Sequence, residues 1–351
     1  MNQSPSCWLF RPVPFVAIAA LALSLQGCTG AHALARRDLA GVTGVSWFAP
    51  AAMHDQSLLS GWAAAVGPPV IRSGTATVAT GDTLRVISWN TAIGAGDLSR
   101  LIREERTAHP RAPLVLLLQE VYRGGPEVPK TGSALRFAGR LGEGLADRAE
   151  IEAVADSTGL NLYYVPSMRN GAPWDSDEDR GNAILSTLPL EDLAAIELPF
   201  ERQRRVAVAA TVSLPRPNAA PVRVRVVSVH LDNMVGAGRG WILGGEFGRL
   251  RQARSLVELL RSDDVVIVGG DFNTWFGAAE AAYREIRKAL PDCGTADTRA
   301  TFLGLLRLDH VFFRIPDGWT AAFDRAAERY GSDHYPLLAT VRVGRTDTPA
   351  R

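Results

Sequence analysis

Eight residues of this chain could do chemistry together: Asn90, Glu120, His230, Asp271, Asn273, Asp309, Asp333 and His334. Most close or follow an apolar run. Asn90 ends VISWN, Gln119-Glu120 ends LVLLLQE, His230 ends VVSVH, and Asp271 and Asn273 follow VVIVGG. Asp309 opens DHVFF, and Asp333-His334 stands in GSDHYP. Each has a bland reading alone, because Asn and Asp start turns and a buried histidine is commonly a hydrogen-bonded core residue. Jointly they are harder to dismiss. Buried strands that end at one rim of an α/β sheet form a ligand crevice. Gathering one glutamate, three aspartates, two asparagines and two histidines there is costly unless a cation or a substrate shares the charge.

The elements that must position these residues are legible as apolar runs. Leu84–Trp89, Leu114–Gln119 and Val265–Gly269 read as buried strands. Leu162–Val165, Asn182–Ser186, Leu308–Phe313 and Leu337–Val343 read as further strands, and Val206–Leu214 with Val222–His230 as a hairpin around PRPNAAP. Helical patterns fall at Asp97–Arg106, Ala134–Thr158, Gly245–Arg261 and Ala278–Leu290. Strands alternating with helices, together with a hairpin, predict a mixed α/β protein with more than one sheet. Residues 29–80 mix Ala, Gly, Ser and Pro without a sustained period and read as a tether with a short extension. The expected division is 1–27 as leader, 28–80 as tether and extension, 81–345 as one catalytic domain and 346–351 as tail.

In this order, VISWN, LLLQEVY, SVHLD, VGGDFNTW, LDHVF and GSDHYPL resemble the endonuclease/exonuclease/phosphatase superfamily. That group spans DNase I-like nucleases, abasic-site endonucleases, inositol polyphosphate phosphatases and neutral sphingomyelinases. The resemblance runs from about Leu84 to Val343. It implies a four-layer sandwich of two mixed β-sheets flanked by helices, with the site at the top. It also implies a metal-dependent phosphoric ester hydrolase. Glu120 would be the main ligand of Mg²⁺ or Mn²⁺, with Asn90 and Asp333 in the metal shell, in keeping with a hard cation's preference for oxygen. Asp271 would orient or deprotonate the attacking water, with Asn273 supporting it. Asp309 and His334 would form a dyad, and His230 would donate to a phosphate oxygen. Whether Asp271 or His334 is the general base stays open.

Other residues have weaker signals. Asn182 and Arg180 in RGNAILS are candidate substrate contacts. Arg202, Arg204 and Arg205 read as a solvated edge, His310 as a packing residue beside Asp309, and Asp232 as a turn residue with a second cation as the alternative. Asp232–Gly248, with six glycines and Trp241-Ile242-Leu243, is expected to overhang the site.

Phe15–Leu25 is an apolar run too short to span a bilayer, behind a single charge at Arg11, and it reads as an export signal. Leu25-Gln26-Gly27-Cys28 resembles a lipobox, with Cys28 as the lipidated residue and Gln26 departing from the usual pattern. This places the chain at the cell envelope, at the outer membrane or periplasmic face, or secreted if the lipobox is not used. Removing Arg11 with the leader leaves 37 residues of each sign, so a protein that coats nucleic acid by bulk charge is excluded. The expected partners are a phosphodiester substrate and the membrane through the lipid, with no obligatory protein partner. Nucleic acid is the first substrate class; phospholipid or sphingomyelin is the alternative, and a catalytically inactive envelope binding protein a minor one.

Overall fold

The structure is a computed structural model and describes residues 32–38, 43–76, 81–130, 138–139, 148–172, 174, 176–216, 219–233, 241–291 and 298–344. The described residues form fifteen strands and five α-helices. In chain order these are β1 (Leu34–Arg37), β2 (Val45–Pro50), α1 (Met53–Ala63), β3 (Val70–Arg72), β4 (Thr83–Asn90), α2 (Leu98–Ala108), β5 (Leu114–Gly124), β6 (Ala138–Gly139), α3 (Ile151–Thr158), β7 (Asn161–Asn170), β8 (Glu178–Ser186), β9 (Glu191–Glu197), β10 (Val206–Arg216), β11 (Ala219–His230), α4 (Trp241–Leu259), β12 (Val266–Asp271), α5 (Ala281–Ala289), β13 (Asp309–Arg314), β14 (Thr320–Arg325) and β15 (Leu337–Arg342).

One sheet has seven strands in the order β1-β2-β9-β10-β11-β12-β13. The other has the order β14-β15-β4-β5-β8-β7-β3, with β6 paired to the end of β7 as its eighth strand. Both are mixed: β11 and β12 run parallel in the first, and β4 and β5 in the second, among antiparallel neighbours. Val86, Leu117 and Ile184 of one sheet meet Val208, Val226 and Ile267 of the other in the central core. The outer face of the seven-stranded sheet packs on Leu256, Val257, Ala282 and Ile286 of α4 and α5. The outer face of the eight-stranded sheet packs on Leu101, Ile102, Ile151 and Val154 of α2 and α3. The result is the expected four-layer sandwich.

Because both faces of β4, β5 and β12 are covered, β5 and β12 are apolar up to their tips, and β4 is largely so, with Arg85 and Ser88 within it. The sheets approach closely beneath those tips. A Cβ on Gly269 would lie 2.8 Å from Ser88, and one on Gly270 would lie 1.9 Å from the Val229 carbonyl oxygen. Glycine at 269 therefore lets β12 carry Asp271 up against β4, and glycine at 270 leaves room for the carbonyl of its neighbour β11.

Two expectations change. The segment read as a tether and short extension contributes β1, β2, α1 and β3. Of these, β2 pairs with β9 in one sheet and β3 with β7 in the other. The signal was weak because α1 buries only Asp55, Leu59 and Trp62, and β1 is a half-buried edge. The helix expected over Ala134–Thr158 is described only as α3. Glu150 before it is extended and accepts the Gly124 N–H, while Ala138–Gly139 pairs as a strand.

A buried ion pair fastens the extension. Asp179 accepts from Arg123 at 2.5 Å, from the Gly67 N–H at 2.8 Å and from the Tyr164 hydroxyl at 2.8 Å. Asp179 and Arg123 are almost wholly buried. Asp179→Ala strands a guanidinium and is expected to cost about 3–5 kcal/mol, read as a lower urea midpoint.

Candidate active site

Strand register builds the site. The parallel β11–β12 ladder puts His230 beside Asp271, and the antiparallel β12–β13 ladder puts Asp309 on the other side. The three side chains thus stand in a row at about 4.8 Å per strand. Asn90 ends β4 in the opposing sheet, and Asp333-His334 lies in the β14–β15 connection. Asn90, His230, His334 and Asp309 all act on Asp271. Its Oδ2 accepts from Asn90 Nδ2 at 3.1 Å, and lies 3.4 Å from His230 Nε2 and 3.8 Å from His334 Nε2. Its Oδ1 accepts the backbone N–H of Asn273 at 2.9 Å. Asn273 adopts φ 49°, the left-handed region that asparagine tolerates, and its amide donates to the Leu231 carbonyl at 3.0 Å. That bond ties the loop after β12 to the loop after β11.

Asp309 Oδ2 and His334 Nδ1 are 2.7 Å apart and both residues are buried, so the expected dyad is present. Asp309 Oδ1 has no hydrogen-bond partner among the described residues. Ser332 was not singled out from the sequence. Its hydroxyl donates to the Asn90 carbonyl at 2.7 Å and accepts the His334 N–H at 3.0 Å, and the Trp89 indole donates to the His334 carbonyl at 3.0 Å. These contacts lock the dyad loop to the tip of β4.

Glu120 interrupts β5. The β5–β8 register shifts between Leu118 and Val121, and Glu120 has φ 51°. A bulge re-aims a side chain in this way. Gln119 points inward and donates to Ser228 Oγ of the other sheet at 2.8 Å, while Glu120 reaches the rim, with Oε1 3.9 Å from His230 Nδ1. Glu120 and Asp333 stay partly exposed, at 23% and 45% of their side-chain surface.

Charges here are strongly coupled. Burial, then repulsion from Asp309, raises the Asp271 carboxyl to about 7, against the opposing pull of His334 and two hydrogen bonds. Burial works against a charge on His334, but Asp309, Asp271 and Asp333 together outweigh it and raise its imidazolium to about 10. Burial, then Arg205, His334 and Arg180, holds His230 well below the ordinary histidine value. Burial, with Glu120 adding to it, raises Asp333. The site therefore favours a charged His334 and a neutral His230, with Asp271 far easier to protonate than an ordinary aspartate.

The donor set suits a hard divalent cation. Glu120 and Asp333 repel one another, and Asn90 stands between β5 and the dyad loop. Among the described residues, the His and carboxylate atoms close enough to share a metal ion are those of Asp271, Asp309 and His334, within 4.8 Å of one another. One or two carboxylates with room for water and phosphate is what Mg²⁺ takes.

Arg180, Asn182, Glu120 and His230 line one notch, so the two candidate substrate contacts do lie beside the site. Asn182 donates its amide to the Val206 carbonyl at 2.8 Å, bridging the sheets. Of the arginine cluster, Arg202 is exposed as expected of a solvated edge, but Arg204 and Arg205 are not. Arg204 is buried against Glu197 at 2.6 Å, and buried Arg205 lines the notch, its Nε without a partner among the described residues. Sequence alone could not separate them, since both faces of this strand are covered. Asp232 is fully buried and accepts the N–H groups of Arg202 and Gln203, at 2.8 and 3.0 Å, so it clamps the β9–β10 connection rather than starting a turn of its own. His310 packs among Phe272, Tyr283 and Phe312, with Nε2 2.7 Å from the Thr274 hydroxyl. Residues 234–240 of the expected overhang, and Cys28 and Cys293, lie outside the described residues.

The sequence profile of the Endonuclease/Exonuclease/phosphatase family matches residues 87–334, and the chain belongs to that family. An endonuclease/exonuclease/phosphatase from Beutenbergia cavernae is similar in fold, with a TM-score of 0.50, 20% identity, and coverage of 75% of this chain and 72% of its own. Sphingomyelinase C from Streptomyces griseocarneus aligns with a TM-score of 0.42 at 17% identity, over 74% of this chain and 99% of its own. A UPF0294 protein of Vibrio cholerae is 38% identical over 84 residues, which span 22% of this chain and 28% of that protein. Members of the family are phosphoesterases.

Proposed function

We propose that the chain is a divalent-metal-dependent phosphodiesterase of the cell envelope, exported and held by a lipid on Cys28. The observation that carries the catalytic reading is the convergence of Asn90, His230 and His334 on Asp271 Oδ2, beside the Asp309–His334 pair. A cation held by Glu120, Asp333 and Asn90 would neutralise charge that builds on the phosphoryl oxygens. The chain's own residues do the rest. Ionised Asp271 accepts the proton of the attacking water. His334, kept charged by Asp309, and His230 present N–H groups to the phosphoryl oxygens or the leaving alcohol. Arg180 and Arg205 in the adjoining notch add a positive field that draws the diester in.

Nucleic acid is the first substrate reading, supported by Trp174 and Trp275, whose exposed rings suit base stacking. A phospholipid diester is the second, favoured by Leu303 and Leu305, exposed aliphatic groups in the loop that hydrogen-bonds the dyad loop. Incubating the protein with supercoiled plasmid, short RNA and phospholipid vesicles, each with Mg²⁺ or EDTA, decides between them. Cleavage of a diester only with metal is the expected result; none with any of the three from folded protein would sink the proposal. Glu120→Ala is expected to raise the Mg²⁺ concentration for half-maximal rate by about tenfold or more. An unchanged titration would remove Glu120 from the metal shell.

A further inference from the structure

The exposed apolar groups of this protein are gathered at its catalytic end. Eight large hydrophobic side chains are exposed among the described residues, and six of them, Met53, Trp174, Trp275, Phe276, Leu303 and Leu305, lie in or beside connections at that end. Register places them there. Trp275 and Phe276 follow Asp271 at the tip of β12, and Leu303 and Leu305 precede Asp309. Trp174 joins β7 to β8, where Glu178 faces Gly124 at the far end of β5. Met53 follows β2, which runs parallel to β9, whose end Glu197 faces Val206 at the rim end of β10. The connections at the opposite end, residues 109–113, 187–190, 260–265 and 315–319, carry no exposed large hydrophobic residue.

Some of these groups are held out firmly. The Trp275 indole donates to the Asn233 carbonyl at 3.2 Å, and the Phe276 N–H donates to Glu280 at 3.2 Å. Glu280 is itself fixed by Arg249 at 2.9 and 3.0 Å. The Leu303 N–H donates to the Asp333 carbonyl at 2.9 Å.

The start of the described chain is at the same end. Leu34 pairs with Pro50, the Ala51 N–H donates to the Ala33 carbonyl at 2.8 Å, and Ser255 donates to the His32 carbonyl at 2.5 Å. Cys28 precedes His32 by four residues, a reach of at most about 14 Å. A lipid on Cys28 would therefore hold the catalytic end, rather than the far end, at the bilayer.

We propose that the catalytic end is a membrane-docking face, and that its mouth is held against a phospholipid bilayer. Aliphatic and aromatic groups raised on separate loops around a mouth match a lipid surface. Met53, Leu303 and Leu305 have no ring to stack on a base, and a net charge of +1 gives little pull on a polyanion. The docking does not require turnover. Only the choice of a lipid diester as substrate rests on the phosphodiesterase reading.

The test uses the processed chain with Cys28→Ser, which keeps every element described above, and flotation with vesicles of phosphatidylethanolamine and phosphatidylglycerol. Trp174→Ser, Phe276→Ser and Leu305→Ser are combined, at positions 74%, 60% and 79% exposed. Ile71→Ser, on edge strand β3 away from the rim, is the control. The parent and the control are expected to float, and the triple variant to partition about tenfold more weakly or worse. The parent and the Ile71→Ser control should hydrolyse the soluble diester bis(p-nitrophenyl) phosphate alike, and all three proteins should melt at the same temperature. A chain that floats but hydrolyses nothing keeps the docking face and removes the phosphodiesterase reading. A parent that stays with the buffer, or a triple variant that floats as well as the parent, overturns the proposal. So does loss of single-stranded DNA binding in the triple variant with flotation unchanged.

Discussion

Asp271→Asn is expected to lower kcat on a soluble diester by about 10³-fold while leaving the chain folded, because the asparagine keeps the shape of the side chain and cannot take a proton. Asp271 Oδ2 is the atom on which both sheets and the dyad loop converge. The pH profile carries the same information. Asp271 is raised to about 7, so the rate of the native enzyme should climb as pH rises through that region and the carboxylate forms. The variant should lose that limb. Stability runs the other way in the metal-free chain. The folded carboxyl lies above its unfolded value, so its contribution is full below about pH 4 and is lost as pH rises through about 7. Asp271→Asn removes this dependence, and thermal melting of the metal-free protein between pH 4 and 8 reads it. A variant retaining near-native kcat would remove Asp271 from the reaction.

Asp309→Asn is the second large effect, with an expected loss of about 10²- to 10⁴-fold in kcat/KM. Asp309 acts through His334, where its bond to Nδ1 fixes which ring nitrogen faces Asp271, and through its repulsion of the Asp271 carboxylate. His334 is raised to about 10, chiefly by Asp309 against the opposing effect of burial. Its charge is therefore retained through neutral pH and lost near 10. Without the Asp309 charge, burial prevails and the alkaline limb should move down toward neutrality. A structural role alone would lower the rate without moving that limb. The folded His334 also lies above its unfolded value, so its contribution to stability is full below about pH 6.5 and fades as pH rises through about 10.

Most of this site was legible in the sequence because its residues end strands that are apolar on both faces. VISW before Asn90 and VVIVGG before Asp271 announce burial, and a polar residue at the end of such a run is conspicuous. What escaped is what depends on partners distant in the chain. Arg123 meets Asp179 across 56 residues; Arg123 then holds the Pro68 carbonyl and Asp179 the Gly67 N–H, so the extension gave no periodic signal of its own. Ser332 acts through Asn90, 242 residues away. Arg205 looked like one of three surface arginines until β10 was covered on both sides. Glu120 was found by type, but the bulge that turns it from the core to the rim is a property of the β5–β8 register. The export signal and lipobox at Cys28 precede the described residues and stand as a proposal.

The most direct measurement is hydrolysis of bis(p-nitrophenyl) phosphate by the native chain and Asp271→Asn over a Mg²⁺ titration, repeated with Mn²⁺ and after EDTA. A phosphodiesterase centred on Asp271 gives a rate that rises and saturates with metal, vanishes in EDTA, returns on adding metal back, and is about 10³-fold lower in the variant at every concentration. A rate indifferent to EDTA, or equal in the two proteins, would contradict that assignment.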